Sequence, residues 1–168
     1  INKLSTDGDS VILDDEHWSI SVFIKTNGMA ASAAGSFTIE TRSNNPELCS
    51  ITQTSDTYLF VNNDALSYSF TLKGLGLYST STLSVLGACI WSLGGSGDLT
   101  LDNCLVSGWT FDLSGSAVDG PMFKFGSLST GERTFTIKDT IINDIQITSS
   151  GAGTGLCGSG ADTNVAVS

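Results

Sequence analysis

One short pattern occurs four times in this chain, and it constrains the fold more than any other feature. It reads SFTIE at 36–40, SFTLK at 69–73, DLTLD at 98–102 and TFTIK at 134–138. If the hydrophobic residue before each threonine is taken as an anchor, the spacings are 33, 29 and 36 residues (70−37, 99−70 and 135−99). A recurring period of roughly 20–50 residues is typical of solenoids and propellers.

Further apolar segments accompany each repeat. Val106, Trp109 and Phe111 follow one anchor at the same offsets at which Ile142, Ile145 and Ile147 follow the next. Another set of apolar segments lies at 57–61, 88–91, 122–125 and 155–157. Each unit thus holds about three short strands, whereas a propeller blade needs four. We therefore predict an all-β fold, a parallel β-helix (solenoid) of about four to five coils that start near residues 37, 70, 99 and 135.

In such a solenoid, equivalent residues of successive coils stack at the strand spacing of about 4.8 Å. Side chains alternate between the faces of a strand, so the anchors and the residues two positions later point inward. The inward set is Phe37, Phe70, Leu99 and Phe135, followed by Ile39, Leu72, Leu101 and Ile137. The outward set is a threonine column, Thr38, Thr71, Thr100 and Thr136, and a column of alternating charge, Glu40, Lys73, Asp102 and Lys138.

The first 35 residues lack this repeat. WSISVFIK at 18–25 is typical of a strand with mixed periodicity, and MAASAA at 29–34 fits one helical turn or a plain loop. We assign residues 1–35 to an N-terminal strand or cap-like segment, which is either an incomplete coil or a cover for the end. Residues 36–168 are assigned to the coils. Because the chain begins at Ile1 and ends just after NVAV, we expect it to be part of a longer solenoid.

The charge balance bears on the class of partner. The net charge is −10 and only 7 residues are Lys or Arg, which argues against nucleic acid because its binding rests on neutralised phosphates. No apolar run approaches the roughly 18 residues of a membrane span. We expect a solvated acidic surface.

Candidate catalytic residues are few. The densest acidic run, Asp14-Asp15-Glu16, precedes the single histidine, His17, and is interpreted as a solvated turn. Asp102 and Asp139 would be near each other without sharing a column, although glycoside hydrolysis needs two carboxylates that face each other. The two arginines, Arg42 and Arg133, fall at loop-like positions more than two coils apart. We predict no catalytic residues and no enzyme activity.

Metal and cofactor sites are not predicted either. Asp7-Gly8-Asp9-Ser10 resembles part of a calcium loop, but a calcium site needs several oxygen ligands at set positions. An ordinary turn is the better interpretation. Walker, Rossmann and zinc-finger patterns are lacking, so we expect no cofactor.

Four cysteines are present, Cys49, Cys89, Cys104 and Cys157. In the stacked arrangement, Cys89 and Cys157 share a column but lie two coils apart, about 9–10 Å, which is beyond the reach of a disulfide. The other two are expected in different columns. We predict free, buried thiols that pack as small hydrophobic groups.

The segments LTLDNCLVSGWTF…GSAVDGPMFKF and FTIKDTIINDIQI…GAGTGL resemble the coils of polymorphic outer-membrane proteins, autotransporter passengers and protist surface proteins built the same way. Asn103-Cys104 matches the Asn-Cys position of such coils, Gly151–Leu156 approximates their glycine-rich strand start, and Ile142-Asn143 lies at the Phe-x-x-Asn element. The intact Gly-Gly-Ala-Ile motif is missing. The resemblance implies a right-handed parallel β-helix of pectate-lyase-like architecture at a cell surface.

We therefore expect a non-catalytic, extracellular or cell-surface β-helix that serves as a structural or adhesive module. Its expected partner is a cell-surface glycan or protein. One alternative is a subunit of an end-to-end stacked filament or surface appendage, which would self-associate through open β-helix ends. A second alternative is a fragment of a polysaccharide-active β-helix enzyme.

Overall fold

The fold is given by a computed structural model of the chain. It describes residues 9–22, 24–25, 35–62, 68–84, 90–93, 98–114, 122–125, 133–149, 157–159 and 165–167. Seventeen strands are present in these residues, and they contain no helix. All of the strand pairs among them are parallel, which confirms the predicted all-β, parallel character. MAASAA and the Asp7-Gly8 pair lie outside the described residues.

Three sheets hold these strands. Sheet A has the order β1-β4-β7-β11-β14-β17. Its strands are Asp9–Leu13 (β1), Gly35–Thr41 (β4), Tyr68–Lys73 (β7), Leu99–Asp102 (β11), Arg133–Lys138 (β14) and Val165–Val167 (β17).

Sheet B has the order β15-β12-β8-β5-β2, and β9 also pairs with β12. Its strands are His17–Ile20 (β2), Ser50–Gln53 (β5), Gly76–Ser79 (β8), Thr82–Leu83 (β9), Leu105–Leu113 (β12) and Ile141–Ser149 (β15). Sheet C has the order β16-β13-β10-β6-β3. Its strands are Ile24–Lys25 (β3), Phe60–Asn62 (β6), Trp91–Leu93 (β10), Phe123–Phe125 (β13) and Cys157–Ser159 (β16).

The chain visits the sheets in the recurring order A, B, C, and each new strand lies beside the strand that the previous round placed in that sheet. This order is consistent with a parallel β-solenoid. The apolar segments at 57–61, 88–91, 122–125 and 155–157 each end in a strand of sheet C, where Trp91 is in register with Phe60 on one side and Phe123 on the other.

The predicted register of the four anchors is confirmed. Phe37 pairs with Phe70, Phe70 with Leu99, and Leu99 with Phe135, and each anchor is at most 1% exposed. The residues two positions later stack in the same way, and Ile39, Leu72 and Leu101 are buried whereas Ile137 is half-buried. The rings of Phe37 and Phe70 meet edge to face at 5.9 Å between centroids. This interior column forms one wall of a continuous apolar core.

The long strands β12 and β15 bend within sheet B. Gly108 has φ +73° and Asp144 has φ +51°, and they occupy equivalent positions between the pairs Ser107↔Asn143 and Trp109↔Ile145. A residue in the left-handed region interrupts the two-residue alternation of a strand. Val106 and Trp109 can therefore both face the core although they are three residues apart, and both are fully buried.

Residues 9–22 and 24–25 add one strand to the end of each sheet, as a coil does. Asp9 is in register with Phe37, Trp18 with Ile51, and Ile24 with Phe60. WSISVFIK does not form the single strand that was predicted. It is divided by a bend at Ser21-Val22 into β2 and β3, which belong to different sheets. Five of its eight residues are apolar, which favoured one strand, but the segment passes from sheet B to sheet C at this bend.

Candidate functional site

The outward side of sheet A, called the outer face here, carries a regular polar surface. Thr38, Thr71, Thr100 and Thr136 occupy one column of the sheet and are all half-exposed. Glu40, Lys73, Asp102 and Lys138 occupy the next outward column, as predicted. Strand spacing places neighbouring side chains of each column about 4.8 Å apart. The outer face thus offers hydroxyl groups and charges of both signs at a fixed interval.

The charge column contains an ion pair between adjacent coils. Lys138 Nζ lies 3.3 Å from Asp102 Oδ1, and the two side chains are 61% and 20% exposed. An exposed pair of this kind contributes only about 0–1 kcal/mol. Its main consequence is that it favours the register in which Asp102 of β11 lies beside Lys138 of β14. Asp102 pairs with Lys138, so Asp139 lies outside its column, as expected.

The acidic run lies at the corner between sheets A and B, and it is an exposed turn as predicted. Arg42 Nε donates a 2.8 Å hydrogen bond to Asp14 Oδ1 from the equivalent corner of the next coil. Asp15 Oδ1 accepts hydrogen bonds from the backbone N–H of Ser43 (3.1 Å) and from its hydroxyl (2.8 Å). His17 Nδ1 lies 2.7 Å from Ser50 Oγ in the same neighbouring coil.

These contacts fasten one coil to the next. A glycosidase would instead direct two carboxylates at a common substrate. The same arrangement recurs at the corner that follows sheet B, where Asp56 Oδ1 accepts a 2.8 Å hydrogen bond from the backbone N–H of Ser84. The carboxylates at both corners therefore hold adjacent coils together through hydrogen bonds.

The two arginines occupy different environments. Arg42 is in a turn, as predicted, and pairs with Asp14. Arg133 is not in a loop but is the first residue of β14, in register with Val165. The loop-like composition of the preceding Ser, Thr and Gly residues made the strand start difficult to place. Of the calcium-like stretch, Asp9 and Ser10 begin β1, and no group of three or more His, Cys, Asp or Glu side chains in the described residues is placed to hold a metal ion.

The structure describes the side chains of Cys49 and Cys104, and both are free and buried, as predicted. Their expected columns were wrong. The backbone N–H of Gly76 binds Cys49 O and that of Leu105 binds Leu75 O, so Cys49, Leu75 and Cys104 occupy one corner column. Cys49 and Cys104 are thus two coils apart, about twice the strand spacing, with Leu75 between them. This separation exceeds the reach of a disulfide.

The Cys157 column also differs from the expected one. Cys157 pairs with Phe123, which pairs with Trp91, so Trp91 and not Cys89 belongs to its column. The side chains of Cys89 and Cys157 lie outside the described residues. Burial raises the pKa of the Cys104 thiol to about 11, although backbone hydrogen bonds partly oppose the shift. Burial also raises the pKa of Cys49.

A thiol with a raised pKa is protonated at neutral pH, and the protonated form is a poor nucleophile. We expect the native protein to resist alkylation and the denatured protein to react at all four cysteines. Intact-mass measurement after alkylation in denaturant without reductant tests this. A mass that corresponds to two intact bridges would contradict both the free thiols and the coil register.

A loop at residues 42–49, called the strap, lies across the A–B corners of two further coils. Asn44 O accepts a 2.6 Å hydrogen bond from Asn103 Nδ2, two coils away. Between them lies Gly74, whose missing Cβ would come within 2.6 Å of Asn44 Cα. Gly74, Asn103 and Asp139 each follow the charge column and each have positive φ. The recurrence of Gly, Asn or Asp immediately after that column was the signal that could have located these corners.

Comparisons with protein-family models, with curated proteins and with solved structures found no match for this chain. The resemblance to polymorphic outer-membrane proteins therefore has support from the parallel all-β architecture alone. The part of the chain that the structure describes holds no helix of the length and apolar character needed to cross a membrane.

Proposed function

We propose that this chain is a non-catalytic module of a right-handed parallel β-helix that has a structural or adhesive role at the cell surface. The observation that supports it most is the use of the charged side chains. Asp14 pairs with Arg42, Asp15 binds Ser43, and Asp102 pairs with Lys138. Each contact joins adjacent coils, so these groups stabilise the stack in place of converging on a substrate.

Right-handed winding is proposed on topological grounds. The chain leaves a strand of sheet A, passes through sheets B and C, and returns to sheet A in a parallel strand next to the first. Connections between parallel strands of one sheet are right-handed in about 98% of cases, because the twist of the strands favours that hand.

The outer face is the surface that we propose for adhesion. Its threonine hydroxyls can donate and accept hydrogen bonds, and its charge column provides both cationic and anionic groups. A ligand with repeating hydroxyl and acidic groups, such as a cell-surface glycan, would meet a threonine hydroxyl at each coil and a lysine at every second coil.

The test joins a turnover assay to a binding assay on immobilised glycans. We expect pectins, alginates, chitin and host-type glycans to be cleaved no faster than in buffer, because the carboxylates at the corners do not converge. We also expect binding to at least one glycan surface. A Thr71→Arg/Thr100→Arg variant should weaken that binding by about tenfold or more, since two bulky side chains would cover the outer face.

A matched control is available on sheet B. Thr52 and Thr110 are also half-exposed, so Thr52→Arg/Thr110→Arg adds the same charge on a different side of the molecule. An equal loss of binding in both variants would show that the added charge causes the loss, and that the outer face is not the binding surface. Reproducible cleavage that disappears on substitution of Asp14, Asp15 or Glu16 would overturn the non-catalytic role and favour an enzyme fragment.

A further inference from the structure

The two ends of the strand stack expose matching edges. In the described residues, β1, β2 and β3 form one end of the three sheets, and β17, β15 and β16 form the other. Among the described strands, each of these six has a neighbour on one side only within its sheet. Unpaired strand edges of this kind recruit further strands unless they are covered.

The end formed by β1–β3 is apolar and concave. A cavity of about 220 Å³ is lined there by Leu13, Trp18, Ser19, Ile20, Ile24 and Ile51. Trp18 and Ile20 point into the stack but are only half-buried, whereas Ile51, in the next coil, is 4% exposed. Among the described residues, no further coil covers the inward side chains of this end.

The end formed by β15 has the complementary feature. Its inward residues Ile142 and Ile145 are half-buried and Ile147 is 40% exposed. The residues beneath them, Val106, Trp109 and Phe111, are at most 1% exposed. Ile142 belongs to the column that begins with Trp18 and continues through Ile51, Leu77 and Val106.

The backbone groups at the two edges are also suited to each other. Ile141 donates its N–H to Cys104 O, so the next residue, Ile142, directs its N–H away from β12. At the other end, Glu16 O and Ile20 O accept hydrogen bonds from Ser50 and Thr54 of the neighbouring coil. By the same alternation, Ser19 directs its backbone groups to the open side.

We propose that the end formed by β1–β3 binds the end formed by β15–β17 of a second copy of this chain, with β2 of one copy alongside β15 of the other. The contact repeats in register the coil-to-coil contact that the chain already makes between its own coils, and places Trp18 over Ile142. Only the head-to-tail arrangement keeps all three sheets parallel, because joining like ends would reverse the strand direction. A heterologous contact of this kind generates open filaments.

Two single-proline variants test the proposal, since proline removes an edge donor. Ile142→Pro alters one end, with Ile142→Ala as the control for the lost side chain. Ser19→Pro alters the other end, with Ser19→Ala as its control, and Ser19 is an exposed residue. Sedimentation velocity over a concentration series should show that the unsubstituted chain associates. Each proline variant should associate at least about tenfold more weakly than its alanine control.

Mixing the two proline variants then identifies the ends involved. Each variant keeps one intact end, so the mixture should form a one-to-one dimer and nothing longer, while each variant alone stays monomeric. Circular dichroism checks that both variants remain folded. If Ile142→Pro unfolds, the exposed Ser19→Pro variant decides by itself.

Three results would overturn the proposal. The unsubstituted chain could remain strictly monomeric up to about 1 mM, where even weak interfaces assemble. Ser19→Pro could associate as strongly as Ser19→Ala. A proline variant could dimerise by itself as strongly as in the mixture, which would show contact between like ends.

Discussion

Replacing Phe135 by alanine should lower the free energy of unfolding by about 3–5 kcal/mol, the usual cost of truncating a buried phenylalanine. Phe135 is fully buried and stacks on Leu99 in the anchor column. Its ring also lies 4.8 Å, centroid to centroid, from that of Phe123 in sheet C. The side chain therefore joins two sheets, and a cavity at this point would remove contacts from both. Urea unfolding followed by circular dichroism measures the loss.

The control for this substitution is Thr100→Ala. Thr100 lies on the adjacent strand and belongs to the outward threonine column, where it is half-exposed. A substitution on a polar surface usually changes stability by no more than about 0.5 kcal/mol. A loss below about 1 kcal/mol for Phe135→Ala would contradict the position of this residue in the core, and with it the register of the repeat.

The anchor register could be predicted because stacking imposes a chemical requirement on every coil. A residue that faces the interior must be apolar in each round, so Phe37, Phe70, Leu99 and Phe135 differ little. The outward threonines recur because a β-branched side chain suits the surface of a sheet. The similarity of the residues at these positions therefore follows directly from the way they pack.

The repeat pattern did not reveal the first coil, because the residue at its anchor position, in register with Phe37, is Asp9. Among the described strands, β1 has a neighbour, β4, on one side only, so the demand for an apolar residue at this position is weaker. Val11 keeps the inward pattern opposite Ile39, but one apolar match does not identify a repeat.

The cysteine columns were misjudged for a different reason. Cys49 follows its anchor Phe37 by 12 residues, whereas Leu75 and Cys104 follow Phe70 and Leu99 by 5 (49−37, 75−70 and 104−99). The strap adds residues at one corner without altering the strands on either side of it. Loop insertions break the sequence spacing while the register of the sheets is kept, so columns beyond a corner cannot be counted from the anchor.

The strap leads to the second large effect. Gly74→Ala should lower the free energy of unfolding by about 2–5 kcal/mol, through two contributions. Gly74 has φ +67°, a conformation in which an alanine is strained. The added Cβ would also lie 2.6 Å from both Asn44 Cα and Thr41 Oγ1. The first of these atoms is backbone, so the clash requires the strap itself to move.

Gly108→Ala separates the two contributions. Gly108 has φ +73°, so the backbone strain is comparable, but the nearest atom to an added Cβ is Ser79 O at an ordinary 3.5 Å. We expect this control to cost only the strain, about 1–2 kcal/mol. Parallel urea titrations of both variants give the difference, which measures the contact of the strap with the corner. If Gly74→Ala costs no more than Gly108→Ala, the strap does not press on Gly74, and the contact seen between them does not contribute to stability.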